Sequence, residues 1–311
     1  MKIFFLFLLA IFQISETTLH AQDFAPREMG RVVSFCGKLW MFGGRSVYYP
    51  ENSFATGQKK IGVYPQAAYE DVWVSTDGNQ WKCWDKNPPW KLSANGVTVV
   101  FNRQLFVLCD DGNLSSTQHH GTVWSTTDFK TWKAKNADYP FELIWSTVVW
   151  NNKIWALTST DKRYAIFTSK DAITWKEIDS KLPRKFGNFV AFFVLHNKLH
   201  YISSVMNIIG DSINTCWRLG ENSKWEILNK NIGYNLHSYA WVVYDDKIWL
   251  FGGMWEDFRK EAQILCSSDA KHWKKVEPQT PYWTARTDHQ ALEHHGKMYI
   301  IGGESQDHRD K

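Results

Sequence analysis

The chain has 311 residues, of which 44% are apolar, 22% charged and 16% aromatic, with 18 Trp. That balance excludes a disordered, collagen-like or coiled-coil protein. The 36 Lys and Arg against 32 Asp and Glu leave only +4 and no basic run, so no nucleic acid partner is expected.

Lys2 and the unbroken apolar run from Ile3 to Phe12 open the chain, and a polar stretch follows, ending at Ala21 before Gln22. This is the layout of a secretory signal peptide, too short for a comfortable membrane span. Residues 1–21 are therefore read as a leader and 22–311 as a single exported domain, periplasmic or extracellular. No later segment is apolar for long enough to cross a bilayer, so no stable membrane span is expected after cleavage. Cys36, Cys83, Cys109, Cys216 and Cys266 are widely spaced, odd in number and without a CxxC pair. They read as small apolar strand residues rather than zinc or redox ligands.

After the leader one pattern recurs: an apolar run, a tight polar turn ending in Lys or Gln, then a second apolar run. The turns are Cys36-Gly37-Lys38, Asn102-Arg103-Gln104, Asn151-Asn152-Lys153, His196-Asn197-Lys198, Asp245-Asp246-Lys247 and His295-Gly296-Lys297. Asn, Asp and Gly tolerate the positive φ angles of two-residue hairpin turns, so each is predicted to be a β-hairpin. After each of the first five hairpins comes another strand-like run, a short turn and a Trp: Trp81, Trp132, Trp175, Trp225 and Trp273. Four strands per unit of about 45–50 residues is the signature of propeller blades. The chain has room for about six such units. A lone four-stranded sheet cannot bury both faces, whereas sheets stacked around a ring do, and fixed aromatics fill the gaps between them. Most of the Trp residues are thereby assigned to packing. The sequence runs only to Lys311 after Gly303, so the sixth unit is expected to have two inner strands and to lack its outer two.

The doublets Gly43-Gly44, Gly252-Gly253 and Gly302-Gly303 close second strands, and a Trp lies in the fourth. With Pro26-Arg27 and Ala285-Arg286-Thr287-Asp288-His289-Gln290-Ala291, these features resemble the kelch repeat and the central domain of galactose oxidase. The resemblance covers 26 to about 303 and weakens in the middle, where the doublet positions read Asp110-Asp111, Thr158-Ser159 and Ser203-Ser204. It implies an all-β, kelch-type β-propeller of about six blades, five four-stranded units plus an incomplete sixth. No equivalent of the copper site of galactose oxidase is recognisable, and fold kinship carries no activity with it.

Four units carry Ser/Thr-x-Asp-x-x-x-Trp, at Asp77, Asp128, Asp171 and Asp269. The element resembles the Asp-box of sialidase-like propellers, with the Asp–Trp spacing one residue shorter. Its Asp is expected to accept backbone hydrogen bonds and fix the turn between third and fourth strands. His119-His120 and the group His289, His294 and His295 lack the spacing of a metal site. No metal, cofactor or catalytic residue is assigned.

In a propeller the second-to-third-strand loops and the blade crossovers share one face. That face is expected to gather the Arg45–Glu70 insert with its tyrosines, Trp90, Arg184, His237 and Trp283. Arg27, Trp145, Arg286 and His289 are expected near the central channel. Aromatic rings with Arg and His suit a sugar or a protein loop. The favoured function is a non-catalytic exported module binding a carbohydrate or protein ligand through this face. The alternative is an exported carbohydrate epimerase or isomerase similar to the kelch-type N-acetylneuraminate epimerase, in which Arg27, Arg286 and His237 or His289 would handle an acid sugar. A duller third reading is a decayed or truncated paralogue without a ligand. A pocket that holds Arg with paired acid and base groups separates the enzyme from the binding module.

Overall fold

The computed structural model describes residues 24–46, 68–90, 96–110, 119–159, 164–178, 182, 190–206, 212–221, 224–233, 237–254, 260–277 and 284–305. Five four-stranded antiparallel meanders follow one another along the chain. Blade 1 comprises β1 (Arg31–Phe35), β2 (Lys38–Phe42), β3 (Val72–Ser75) and β4 (Lys82–Asp85), and blade 2 comprises β5 (Val97–Phe101), β6 (Gln104–Asp110), β7 (His119–Thr126) and β8 (Lys133–Tyr139). Blade 3 is built from β9 (Leu143–Trp150), β10 (Lys153–Ser159), β11 (Tyr164–Ser169) and β12 (Lys176–Ile178). Blade 4 holds β13 (Val190–Leu195), β14 (Lys198–Met206), β15 (Ser212–Leu219) and β16 (Trp225–Asn229). Blade 5 holds β17 (Ala240–Tyr244), β18 (Lys247–Phe251), β19 (Ile264–Ser267) and β20 (Lys274–Val276). In the sixth unit β21 (Arg286–Thr287) pairs with β24 (Glu304–Ser305), and β22 (Gln290–His294) pairs with β23 (Lys297–Ile301). This half-blade has no outer strands among the described residues.

The innermost strands touch in order, β1 to β5, β9, β13, β17 and β22, and β22 touches β1 again. The ring is therefore closed by the half-blade. One apolar cluster fills each of the six gaps between neighbouring sheets. Second strands lie deepest: in β2 and β18 every residue after the leading Lys is buried. The architecture is the all-β propeller expected from the repeats, and among the described residues no helix is long and apolar enough to cross a membrane.

The hairpin turns explain why the units form. At all six, both central residues have positive φ, from Cys36 at 50° and Gly37 at 69° to His295 at 49° and Gly296 at 72°. These are the primed turns that match strand twist. The Ser/Thr-x-Asp elements sit between third and fourth strands as expected. Asp77 Oδ1 accepts the backbone N–H of Asn79 and Gln80 at 2.9 and 3.0 Å, and Ser75 Oγ accepts that of Gly78 at 2.9 Å. The same set recurs at Thr126/Asp128, and Ser169/Asp171 and Ser267/Asp269 repeat the Asp contacts. These amide bonds to the ionised form help hold the carboxyls of Asp77, Asp128, Asp171 and Asp269 below their usual range.

Candidate functional site

The lead-ins to the innermost strands form the mouth of the central channel. Met29, Ser238 and Asp288 occupy one repeat position and share a left-handed backbone, with φ of 56°, 54° and 53°. They are linked from blade to blade: Met29 N–H donates to Asp288 O at 3.0 Å, and Asp288 N–H to Ser238 O at 3.1 Å. The glycine doublets make this close approach possible. A Cβ on Gly44 would lie 2.9 Å from Glu28 O, and one on Gly303 would lie 2.6 Å from Thr287 O.

A cavity of about 340 Å³ occupies the channel. Its wall includes Met29 and Arg31 of blade 1, Thr98 of blade 2, Trp145, Ser146 and Thr147 of blade 3, Ser238, Tyr239 and Trp241 near β17, and Asp288, His289 and Gln290 of the half-blade. Hydroxyls, an amide, one guanidinium, one carboxyl and indole rings thus meet in a space of monosaccharide size. The Trp145 side chain is half-buried in this wall and meets the Tyr164 ring at 5.9 Å between centroids. Arg31 Nε donates to Gly96 O at 2.8 Å; burial pushes its guanidinium below the ordinary value, and the nearby Asp288 opposes this.

Behind the wall lies a group of charges from distant parts of the chain. Glu28 is 4% exposed and accepts from Arg45 Nε at 2.6 Å. Burial, then the neighbouring Asp288, push its carboxyl up to about 7 against the pull of Arg45. Asp288 is also raised by burial, with Arg45 lowering and Glu304 raising it. Lys260 Nζ meets Glu304 Oε1 at 2.7 Å and Ser305 O at 3.1 Å. Burial thus brings the Glu28 carboxyl, behind the wall, to about 7, and shifts Asp288, on the wall, upward. Among the described residues no three His, Cys, Asp or Glu gather as a metal site.

The residues singled out from the sequence divide between this channel and the blade packing. Trp145 and His289 line the channel. His289 is 2% exposed, and burial, aided by Arg286, lowers its imidazole to about 3, so it is neutral in use. His237 is buried in the lead-in to β17, at the repeat position of Glu28 and Thr287, with Nδ1 3.3 Å from Ser238 Oγ and its backbone paired to Met254. Arg27 and Arg286 perform one structural task twice. Each donates Nη1 at 2.9 Å to the carbonyl of the first glycine of its own doublet, Gly43 or Gly302, and Nε to the residue two before it. Arg27 also pairs through both Nη atoms with Asp71 and lies over the Tyr69 ring. Trp90 is 4% exposed and packs against Trp132 and Trp124 between blades 1 and 2. Arg184, Trp283, the insert tyrosines Tyr48, Tyr49 and Tyr64, and the 1–21 leader lie outside the described residues.

Sequence reasoning missed Glu28, Arg31, Arg45, Lys260, Asp288 and Glu304. Aligning the repeats on Arg27 and Arg286 sets Met29 against Asp288, which would have brought Asp288 forward. Nothing local flags the others.

Residues 20–311 match the DUF6242 beta propeller domain, and the chain belongs to that family. No curated protein matches the chain.

Proposed function

We propose that this member of the DUF6242 propeller family is an exported, kelch-type, non-catalytic module that holds a small hydroxylated ligand, a neutral sugar by class, in its central channel. The observation that carries the reading is the channel wall, where the half-buried Trp145 side chain shares about 340 Å³ with Arg31, Asp288, Gln290 and several hydroxyls. Carbohydrate sites pair an aromatic face with a few convergent polar groups in pockets of about this size, several hundred Å³. Neutral ligands are favoured over acid sugars because the guanidinium groups of Arg27 and Arg286 are committed to backbone carbonyls, and Arg31 has Asp288 as neighbour. Support for the kelch type comes from the glycine doublets and their matching Arg contacts; support for export comes from Lys2 and the Ile3 to Phe12 run.

The test is a glycan array probed with residues 22–311, followed by calorimetry on any hit. Neutral glycans are expected to bind, and Trp145→Ala to weaken them by about ten-fold, the worth of a lost aromatic contact. An empty array from well-folded protein would sink the sugar reading and send the search to protein partners.

One observation favours the enzymatic alternative. The Asp288 carboxyl on the channel wall is raised by burial and has the raised Glu28 carboxyl as a neighbour behind it, and such groups suit proton transfer near neutral pH. Catalysed interconversion of sugar anomers or epimers, followed by NMR and lost in Asp288→Asn, would replace the binding module with a carbohydrate epimerase.

A further inference from the structure

The half-blade is unlike the five sheets it completes. A two-stranded hairpin is marginally stable alone, and β22 and β23 contribute only His294 and Ile301 as buried residues. Their other apolar residues are half-covered: Leu292 and Tyr299 toward blade 1, Ala291, Met298 and Ile300 toward blade 5. Polar contacts supply much of the rest. Toward blade 5, Lys260 holds Glu304, and Tyr244 Oη donates to Gly296 O at 2.7 Å. Toward blade 1, Ser34 Oγ meets His294 Nδ1 at 2.8 Å, and Met29 N–H reaches Asp288 O.

We propose that the half-blade is a gate in the ring, held shut by this polar clasp and able to detach as a unit while the five complete blades stay folded. Detachment opens the side of the central channel, because Asp288, His289 and Gln290 leave its wall together. The physical basis is local unfolding, which selects the segment with the fewest buried apolar contacts. The ionic part of the clasp gives it a handle. Removing Glu304 leaves Lys260 buried without its carboxylate, which favours the open state.

Three native thiols report on three interfaces. Cys266 lies under the half-blade among Ala291, Met298 and Ile300, Cys109 lies between blades 1 and 2, and Cys216 between blades 4 and 5. All three are buried and outside any disulfide, and Cys36 is exposed as a control. The experiment is iodoacetamide labelling of residues 22–311 at pH 8, with each site followed by mass spectrometry. Once Cys36 has reacted, Cys266 is expected to label about ten-fold or more ahead of Cys109 and Cys216. Glu304→Gln should raise the Cys266 rate several-fold and leave the Cys109 rate alone. If that variant fails to fold, the wild-type comparison decides alone. Equal rates at Cys266, Cys109 and Cys216, or Cys266 slowest, would overturn the gate, since they mean that the ring opens only as a whole. None of these readouts depends on what the channel binds.

Discussion

Between blades 1 and 2, Trp40 stacks on Phe129 at 3.3 Å between centroids, Phe129 meets Trp132 edge-on at 5.1 Å, and Trp90 lies 4.4 Å from Trp132. Between the half-blade and blade 1, the corresponding space holds the smaller cluster of Phe24, Leu39, Met41, Trp81 and Ile301, bounded by hydrogen bonds at either end. Both junctions join neighbouring twisted sheets. The difference follows from strand count and from the turn each junction receives. Between blades 1 and 2, blade 1 offers its third strand through Val72 and Val74, and the Asp128 turn of blade 2 presents Phe129 and Trp132 to it. The half-blade offers no third strand among the described residues, and the matching turn of blade 1 presents Trp81 with Gly78 in the place of Phe129. Polar groups then carry part of the closure, and they bring water, salt and pH into a junction that is otherwise apolar.

The largest test of that contrast is a pair of truncations. Phe42 is 1% exposed within the cluster between blades 1 and 2, and Phe42→Ala should cost about 3–5 kcal/mol, seen as an earlier urea midpoint for the whole ring. Ile301→Ala should cost about 2 kcal/mol, near the low end for such a truncation because half-covered neighbours can settle into the space. Its effect should fall first on the half-blade, read as faster hydrogen exchange over 290–301. Equal effects on both segments in both variants would erase the distinction.

Acid and alkali should act at different places. His200 in blade 4 is 3% exposed, and burial lowers it to about 4 from 6.5. A buried neutral His lends stability that is whole above 6.5 and is lost as pH falls toward its folded value, here about 4, with His289 following toward about 3. Glu28 has the opposite sign. Its folded carboxyl, raised to about 7 from 4.5, binds its proton more tightly than the unfolded one, so its contribution is whole below 4.5 and is lost as pH rises through about 7. Asp288 shifts in the same direction, facing Arg31, Arg45 and Glu304. From pH 6 to 8.5, after correction for intrinsic exchange rates, protection over 290–301 should fall while that over 97–108 holds. Glu28→Gln should flatten the fall, since Arg45 is 33% exposed in its side chain and can turn to water. A parallel fall in both segments would place the alkaline weakness elsewhere.

Legibility followed the range of the interactions. The hairpin turns and the Asp-containing turns are local, each written within seven residues or fewer, so Asp245-Asp246 or Ser75-x-Asp77 announces its geometry. Glu28, Arg45, Lys260, Asp288 and Glu304 meet only once the ring has closed, and no local spacing records that. Arg27 and Arg286 were visible as a repeated feature. Their side chains turned out to serve the repeat itself, tied to Gly43 and Gly302.

The smallest expected effect tests whether the complete blades owe their rigidity to their turns. Ser75 is 3% exposed, and its Oγ accepts from Asp77 and Gly78 N–H while donating to Asp77 Oδ1 at 3.1 Å. Ser75→Ala removes the acceptor but leaves Asp77 its bonds to Asn79 and Gln80, so the turn is loosened and retained. The loss should be about 1–2 kcal/mol, the cost of leaving buried amides unsatisfied. It has a directional consequence as well. The turn carries Trp81, whose indole N–H donates to Gly78 O at 3.0 Å and whose ring meets Phe24 at 5.5 Å on the side facing the half-blade. A loosened turn in blade 1 should therefore be felt across the seam, as faster exchange over 290–301. The matching Thr126→Ala in blade 2 supports Phe129 and Trp132, which face blade 1. It should cost a similar amount and leave 290–301 unchanged.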